Sequence, residues 1–279
     1  MVRNLLNLTP SNQYLSGKQW FKNTAIDFNF IAGKQVYIIS YPKSGRTWLR
    51  VLLGKILCDH FDIDEKWLLN TYKVTRLAKV LSTKFTHDNS ELKKEIAWHE
   101  LTTDKTRYRK KKVVLIIRDP KDLIVSSYFH ATKRIHKFSK SLPEFIRSPK
   151  YGIRKIMNFY KIWYDQQTIP KDFLLIRYEE MHQDTVACIR SVLEFIETTN
   201  IPEQVINNAI EFCQFENMKQ LERSGEFKSK VIQPTDPMDN ESYKVRRGKV
   251  GGYRDYLSQE DIDFIDQIIL ESGNPFLYK

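Results

Sequence analysis

Cysteine is scarce in this chain. Its three residues, Cys58, Cys188 and Cys213, are odd in number and form no CxxC pair, which argues against a disulfide framework and a zinc cluster and leaves them as small buried apolar side chains. Glycine and proline are also few, 10 of each in 279 residues, so collagen-like, low-complexity and disordered classes are excluded. Long apolar runs are missing too: stretches such as 113–117 and 173–176 fall far short of the roughly 20 residues a membrane helix needs. The segment 1–20 mixes polar and apolar residues, so neither a secretory leader nor a membrane span is expected, and a cytoplasmic location is. No internal repeat or Gly/Ser linker divides the chain, and one domain over 1–279 is expected. What the chain has in excess is positive charge, a formal +11, which favours an anionic partner but does not choose among nucleic acid, lipid, glycan and nucleotide.

Residues 36–40, VYIIS, read as a strand. They are followed by the turn-like Tyr41-Pro42-Lys43-Ser44-Gly45 and by a helical pattern running through Leu49, Leu52, Leu53, Ile56 and Leu57. The same order recurs at 113–117, a run apolar at every position as in a strand covered on both faces, then Arg118-Asp119-Pro120 and a helix through Tyr128. A third strand is read at 173–176. Strands separated by helices imply an α/β fold: a mainly parallel central sheet flanked by helices, with a P-loop-like phosphate-binding loop. Asp184 caps a helix, Pro202 sits in the first turn of the next, and Ser258 with Asp261 opens a last one. The polar stretch 216–245, with Pro234 and Pro237, reads as a long irregular segment and hence as a lid or substrate loop.

The loop 41–48 between a strand and a helix has the elements of a phosphate cradle. Backbone amides and the helix start converge there, Gly45 allows the turn, Lys43 adds a cation, and Ser44 and Thr47 add hydroxyls. It lacks the GxxxxGK[ST] spacing, so ATP held in the usual way is not implied. The bland alternative is a tight turn with Lys43 in solvent. The second element places Arg118 at a strand end and Ser126 eight residues on; an Arg fork and a hydroxyl suit a phosphate, and the bland alternative is an ion pair of Arg118 with Asp122. The basic run 105–112 has only Tyr108 as an interleaved aromatic and reads as a solvated approach to the strand rather than a nucleic-acid platform.

Together these residues resemble the cytosolic-type sulfotransferases. Tyr41-Pro42-Lys43-Ser44-Gly45-x-Thr47-Trp48 resembles that family's 5′-phosphosulfate loop, Arg118 through Ser126 its 3′-phosphate motif, and Arg246-Arg247-Gly248-Lys249-Val250-Gly251 its carboxy-terminal RKGxxG element. The resemblance implies 3′-phosphoadenosine 5′-phosphosulfate as sulfuryl donor, with the 3′,5′-bisphosphate PAP as product. It places Lys43, Ser44, Gly45, Arg46 and Thr47 at the 5′ end, and Arg118, Ser126, Arg246, Arg247 and Gly248 at the 3′-phosphate. Trp48, Tyr178 and Phe215 fall near the adenine, core packing being the bland reading of each. Lys43, Ser126 and His87 form the catalytic set, His87 as general base between the two phosphate motifs. Many family members carry Lys two residues before this His; here that position is Phe85, with Lys84 beside it. The expected reaction is in-line transfer to an alcohol, phenol or amine of a small molecule, without a metal, nucleic acid or membrane as partner. The family's dimerisation pattern is degraded at Arg254, Ser258, Gln259 and Asp263, so oligomeric state stays open. The alternatives are a P-loop nucleoside or nucleotide kinase, against which the missing GK pair counts, and a basic nucleic-acid-binding protein.

Overall fold

A parallel strand buried on both faces has no polar side to show, and the apolar runs of the sequence take that place in the computed structural model. It describes residues 35–225, 231–273, 275, 276 and 278; the amino-terminal reading above, and 226–230 of the expected lid, lie outside them. Gln35–Lys279 forms one unit. Its sheet consists of β1 (Val36–Ser40), β2 (Thr83–Thr86), β3 (Lys112–Ile117) and β4 (Asp172–Arg177) in the order β2-β1-β3-β4, every neighbouring pair parallel. Val36 lies opposite Thr83 on one side and Lys112 on the other, and Lys112 lies opposite Asp172.

The helices are α1 (Arg46–His60), α2 (Thr71–Leu77), α3 (Pro120–Phe129), α4 (Leu142–Arg147), α5 (Ile153–Asp165), α6 (Tyr178–Gln183), α7 (Thr185–Phe195), α8 (Glu203–Phe212), α9 (Phe215–Ser224) and α10 (Gln259–Glu271). Alternation along the strands divides the core in two. Tyr37, Ile39, Leu115 and Ile117 face a cluster with Phe159 and Trp163 of α5 and Ile265 and Ile268 of α10. Val36, Ile38, Val114 and Ile116 face Leu49, Leu53 and Ile56 of α1 and Val192 and Leu193 of α7. Each fully buried side chain of this kind contributes about 1.5–3 kcal/mol relative to exposure, so the sheet is a rigid platform.

The caps expected at Asp184 and Ser258 form, and the structure adds one at Asp119. Asp119 accepts from Lys121 N at 2.7 Å with Pro120 in the first turn of α3, Asp184 accepts from Ala187 N at 2.8 Å, and Ser258 Oγ accepts from Asp261 N at 3.2 Å. Three readings need correction. Pro202 is the cap residue of α8, just ahead of its first turn. The start of the expected irregular segment 216–245 is helical, because α9 docks by buried Met218 and Leu221 and by a buried carboxylate, Glu222. The basic run is not uniformly solvated: Lys105 is 2% exposed, its Nζ 2.8 Å from Asp88 Oδ2, and Arg107 pairs with the same carboxylate.

Because all four strands run the same way, their carboxy-terminal ends share one edge. The loop holding Lys43 follows β1, and His87, Arg118 and Tyr178 are each the first residue after β2, β3 and β4. Open α/β sheets bind ligands outside that edge.

Candidate functional site

The loop after β1 is shaped by two residues in left-handed conformations, Lys43 at φ 77° and Gly45 at φ 91°. Tyr41 is fully buried beneath it. At Gly45 glycine is required twice over, since a Cβ there would lie 2.5 Å from Cδ2 of Tyr178. Gly45 caps α1 without a side-chain hydrogen bond, and the first turn carries no acidic residue, so the N–H groups of that turn remain available to an anion. Lys43 Nζ donates to the carbonyl of Lys244 at 3.2 Å. Burial first, then the nearby cations Lys244, Arg134 and Arg118, push its ammonium well below the ordinary lysine range. A buried cluster of like charges of this kind is stabilised by an anion. Arg46 is lowered to about 9 by burial and by Arg50. The hydroxyl of Ser44 does not join the cluster. The residue is fully buried, and its Oγ donates to Tyr41 O at 3.1 Å, which closes the turn and leaves only its backbone for a ligand.

Arg118 leaves β3 with its guanidinium 4.3 Å over the ring of Tyr178. Its Nη1 donates to Lys43 O and its Nη2 to Lys249 O, both at 3.3 Å, and Nε is buried without a hydrogen-bond partner among the described residues. The pairing with Asp122 is long, 3.6 Å, because that carboxylate is occupied: it accepts from Gly251 N at 2.7 Å and Tyr253 N at 2.9 Å. Asp122 thereby clamps the 246–252 segment over the site. Gly248, at φ 61°, meets Phe215, whose Cδ2 would be 2.6 Å from an added Cβ. Arg246 donates to Glu241 at 2.9 Å and to Tyr256 Oη at 2.7 Å, whereas Arg247 pairs with Asp255 at 2.8 Å. Trp48 packs against His182 at 4.7 Å and edge-on to Tyr178 at 6.2 Å.

His87 is oriented by one contact: Nδ1 lies 2.8 Å from the carbonyl oxygen of Ser40. A carbonyl only accepts, so Nδ1 carries the proton and Nε2 presents its lone pair. Burial above all, then the Arg46 charge, holds the imidazolium well below the usual histidine range, which keeps the ring neutral.

One cavity of 760 Å³ gathers Lys43, Gly45, Arg46, Thr47, Trp48, His87, Arg118, Ser126, Tyr178, Phe215, Arg246, Arg247 and Gly248, so of the site residues expected from sequence only Ser44 is missing from its wall. Lys84 does not line it either; Phe85 of the same strand is buried against the α1 side of the sheet. Two residues that sequence reasoning passed over do: Lys244, lowered to about 7 by burial and by Arg134 and Arg46, and His130. Glu222 sits behind them, accepting from Lys244 N at 2.6 Å, Val245 N at 2.8 Å and Arg134 Nη1 at 3.1 Å. No sequence signal ties these positions together, since the contacts span long separations. Among the described residues no three His, Cys, Asp or Glu side chains converge as a metal site, and no helix is long and apolar enough to cross a membrane.

Residues 33–273 match the family model described as the sulfotransferase domain. The chain belongs to the sulfotransferase family. It is 30% identical to a flavonol 3-sulfotransferase of Flaveria bidentis over 85% of this chain and 80% of that one. It is 25% identical to an amine sulfotransferase of Oryctolagus cuniculus over 93% of this chain and 90% of that one. Among solved structures, a retinol dehydratase in a complex with retinol and PAP superposes with a TM-score of 0.64 at 17% identity, covering 94% of this chain and 88% of that one. The kinase alternative gives way to this membership.

Proposed function

We propose that this sulfotransferase moves a sulfuryl group from 3′-phosphoadenosine 5′-phosphosulfate to a hydroxyl or amine of a small-molecule acceptor by in-line displacement. The observation that carries this reading is that one cavity joins two separate anion-holding sets to a histidine with a free lone pair. The loop 43–47 with the start of α1 suits the 5′ end. Arg118, its Nε without a hydrogen-bond partner among the described residues, and Ser126 suit a 3′-phosphate, a group ATP lacks. Trp48, Tyr178 and Phe215 offer aromatic surface for the base. The flavonol and amine named for the two relatives support small acceptors and leave both oxygen and nitrogen nucleophiles within the proposal.

His87 Nε2 takes the proton of the acceptor as its oxygen attacks sulfur. Lys43 meets the charge that grows on the bridging oxygen as the S–O bond breaks, with the amides of residues 44–47 holding the departing phosphate. A sulfuryl group bears less negative charge than a phosphoryl group, so positioning and these donors support the transfer without a metal ion. Of the 231–245 part of the expected lid, Lys244 and Val245 line the cavity, and Glu222 accepts from both of their backbone amides. Calorimetric titration with PAP, with ATP and AMP as controls, tests the reading. Tight binding of PAP alone is expected; equal binding of ATP and PAP would overturn it.

A further inference from the structure

We propose that Asp88 is a positioning residue for His87: its buried carboxylate, tied to Lys105, Arg107 and Tyr108, fixes the chain just after the histidine and so keeps Nε2 aimed into the cavity. This rests on the reading of His87 as general base and deepens it by naming what aims that base.

The chain leaves β2 at His87 and turns through two consecutive left-handed residues that are not glycine, Asp88 at φ 49° and Asn89 at φ 69°. Aspartate and asparagine tolerate that region better than most residues, but two in a row persist only where the surroundings over-determine the turn. Here they do. Asp88 N donates to Thr86 Oγ1 at 3.1 Å, and Ser90 donates to the carbonyl of His87 from both its N, at 2.9 Å, and its Oγ, at 2.6 Å. The Asp88 side chain takes three further contacts from one segment: Lys105 Nζ lies 2.8 Å from Oδ2, Tyr108 Oη donates to Oδ1 at 2.8 Å, and Arg107 pairs with Oδ1.

The far ends of these contacts are fixed to the core. Tyr108 meets Tyr37 of β1 edge-on at 5.2 Å and Trp163 of α5 at 5.4 Å, while Lys105 Nζ also donates to Thr102 O at 2.6 Å and lies 5.2 Å from the Trp163 ring centre. One carboxylate thereby joins the segment that carries His87 to the sheet and to the helix layer behind it. Asp88 is not a relay partner of the imidazole, because Nδ1 is taken by Ser40 O: that contact sets the tautomer, and Asp88 sets where the backbone places the ring. With a single hydrogen bond on the ring among the described residues, the backbone decides where Nε2 points, and misplacing a reacting group by about 1 Å costs about 10²-fold in rate. Lys105 and Arg107, two of the basic residues ahead of β3, are thus employed in holding the base and not in attracting the donor.

Asp88→Asn alone would leave Lys105 buried without its counter-charge, so the test combines it with Lys105→Met; Tyr108→Phe, which removes one hydroxyl and keeps the ring, carries the test by itself if the double variant does not fold. Turnover of an aliphatic alcohol is expected to fall about ten- to hundredfold in the double variant and about threefold in Tyr108→Phe, with acceptor KM and PAP affinity within about twofold of wild type. The loss should shrink along an acceptor series of falling pKa. It should vanish when the same changes are made on His87→Ala, because a residue that acts through the base then has nothing to act on. Unchanged turnover, an equal loss across the series, or the full loss repeated on His87→Ala overturns the proposal. Wild-type turnover by His87→Ala itself would defeat the general-base reading and take the proposal with it, whereas an impaired His87→Ala beside unimpaired Asp88 and Tyr108 variants defeats the positioning role alone.

Discussion

Gly45 and Tyr178 are in contact across the mouth of the β1 loop, close enough that a Cβ on the glycine would stand 2.5 Å from the tyrosine ring. The φ of 91° adds a second penalty for any other residue. Gly45→Ala therefore has to displace either the loop or the ring that stacks under Arg118. The cost in stability is about 1–3 kcal/mol, and PAP affinity should drop because loop amides and aromatic wall move together. Thermal unfolding and calorimetry on the same variant check this; unchanged affinity would separate the contact from the donor site.

Arg118→Ala should weaken PAP binding by about 1.5–3 kcal/mol, with Ser126→Ala milder, since a charged donor is lost in the first and a neutral hydroxyl in the second. Arg118 also spans the carbonyls of Lys43 and Lys249, so Arg118→Lys should recover only part of the affinity. If both alanine variants bind PAP as wild type does, the 3′-phosphate assignment is wrong.

Lys43→Met is expected to lower turnover far more than it lowers donor affinity, because the bridging oxygen gains charge only as the bond breaks. Single-turnover rates and PAP binding measured side by side decide the point. Normal turnover with a raised donor KM would reduce Lys43 to a binding residue.

How far such assignments were legible before the structure depended on where the partner lay in the chain. β1 and β3 show as apolar runs because both their faces are buried, and the phosphate loop and Arg118 show because each is a local pattern beside a strand. α9 did not show. Its buried apolar residues are Met218 and Leu221 alone, and the partners of Glu222 come from Arg134 and the 244–245 backbone. Ser44 was misread for the opposite reason: its hydroxyl serves the turn that its own loop makes. His130 has Lys43, Lys93 and Lys244 acting on it from segments far away in the chain, which no spacing rule encodes.

Acid should destabilise the fold through its two enclosed histidines. His87 and His130 both have folded pKa values below the ordinary 6.5, so the unfolded chain binds more protons there and stability rises with pH up to that value. Asp119, raised to about 6 by burial, acts in the opposite sense, gaining stability as pH falls towards 4, but it is one group against two. The midpoint of thermal unfolding should fall between pH 7 and pH 5. His130→Phe should make that fall shallower; the same slope in the variant would remove His130 from the explanation.

His87→Ala should cut turnover by about 10² to 10⁴ and leave PAP binding nearly intact, the loss expected for a general base. The hydrogen bond to Ser40 fixes the tautomer, and burial with Arg46 keeps the ring unprotonated, so wild-type kcat/KM should stay level through pH 6.5 and decline only in more acidic solution. Dependence on the acceptor distinguishes a base from an orienting group. An acidic phenol, largely ionised at neutral pH, needs little help, whereas an aliphatic alcohol must lose its proton during attack. Along a matched acceptor series the defect of His87→Ala should shrink as acceptor pKa falls. A defect of equal size across the series would point to an orienting role, and full activity towards an alcohol would take His87 out of the mechanism.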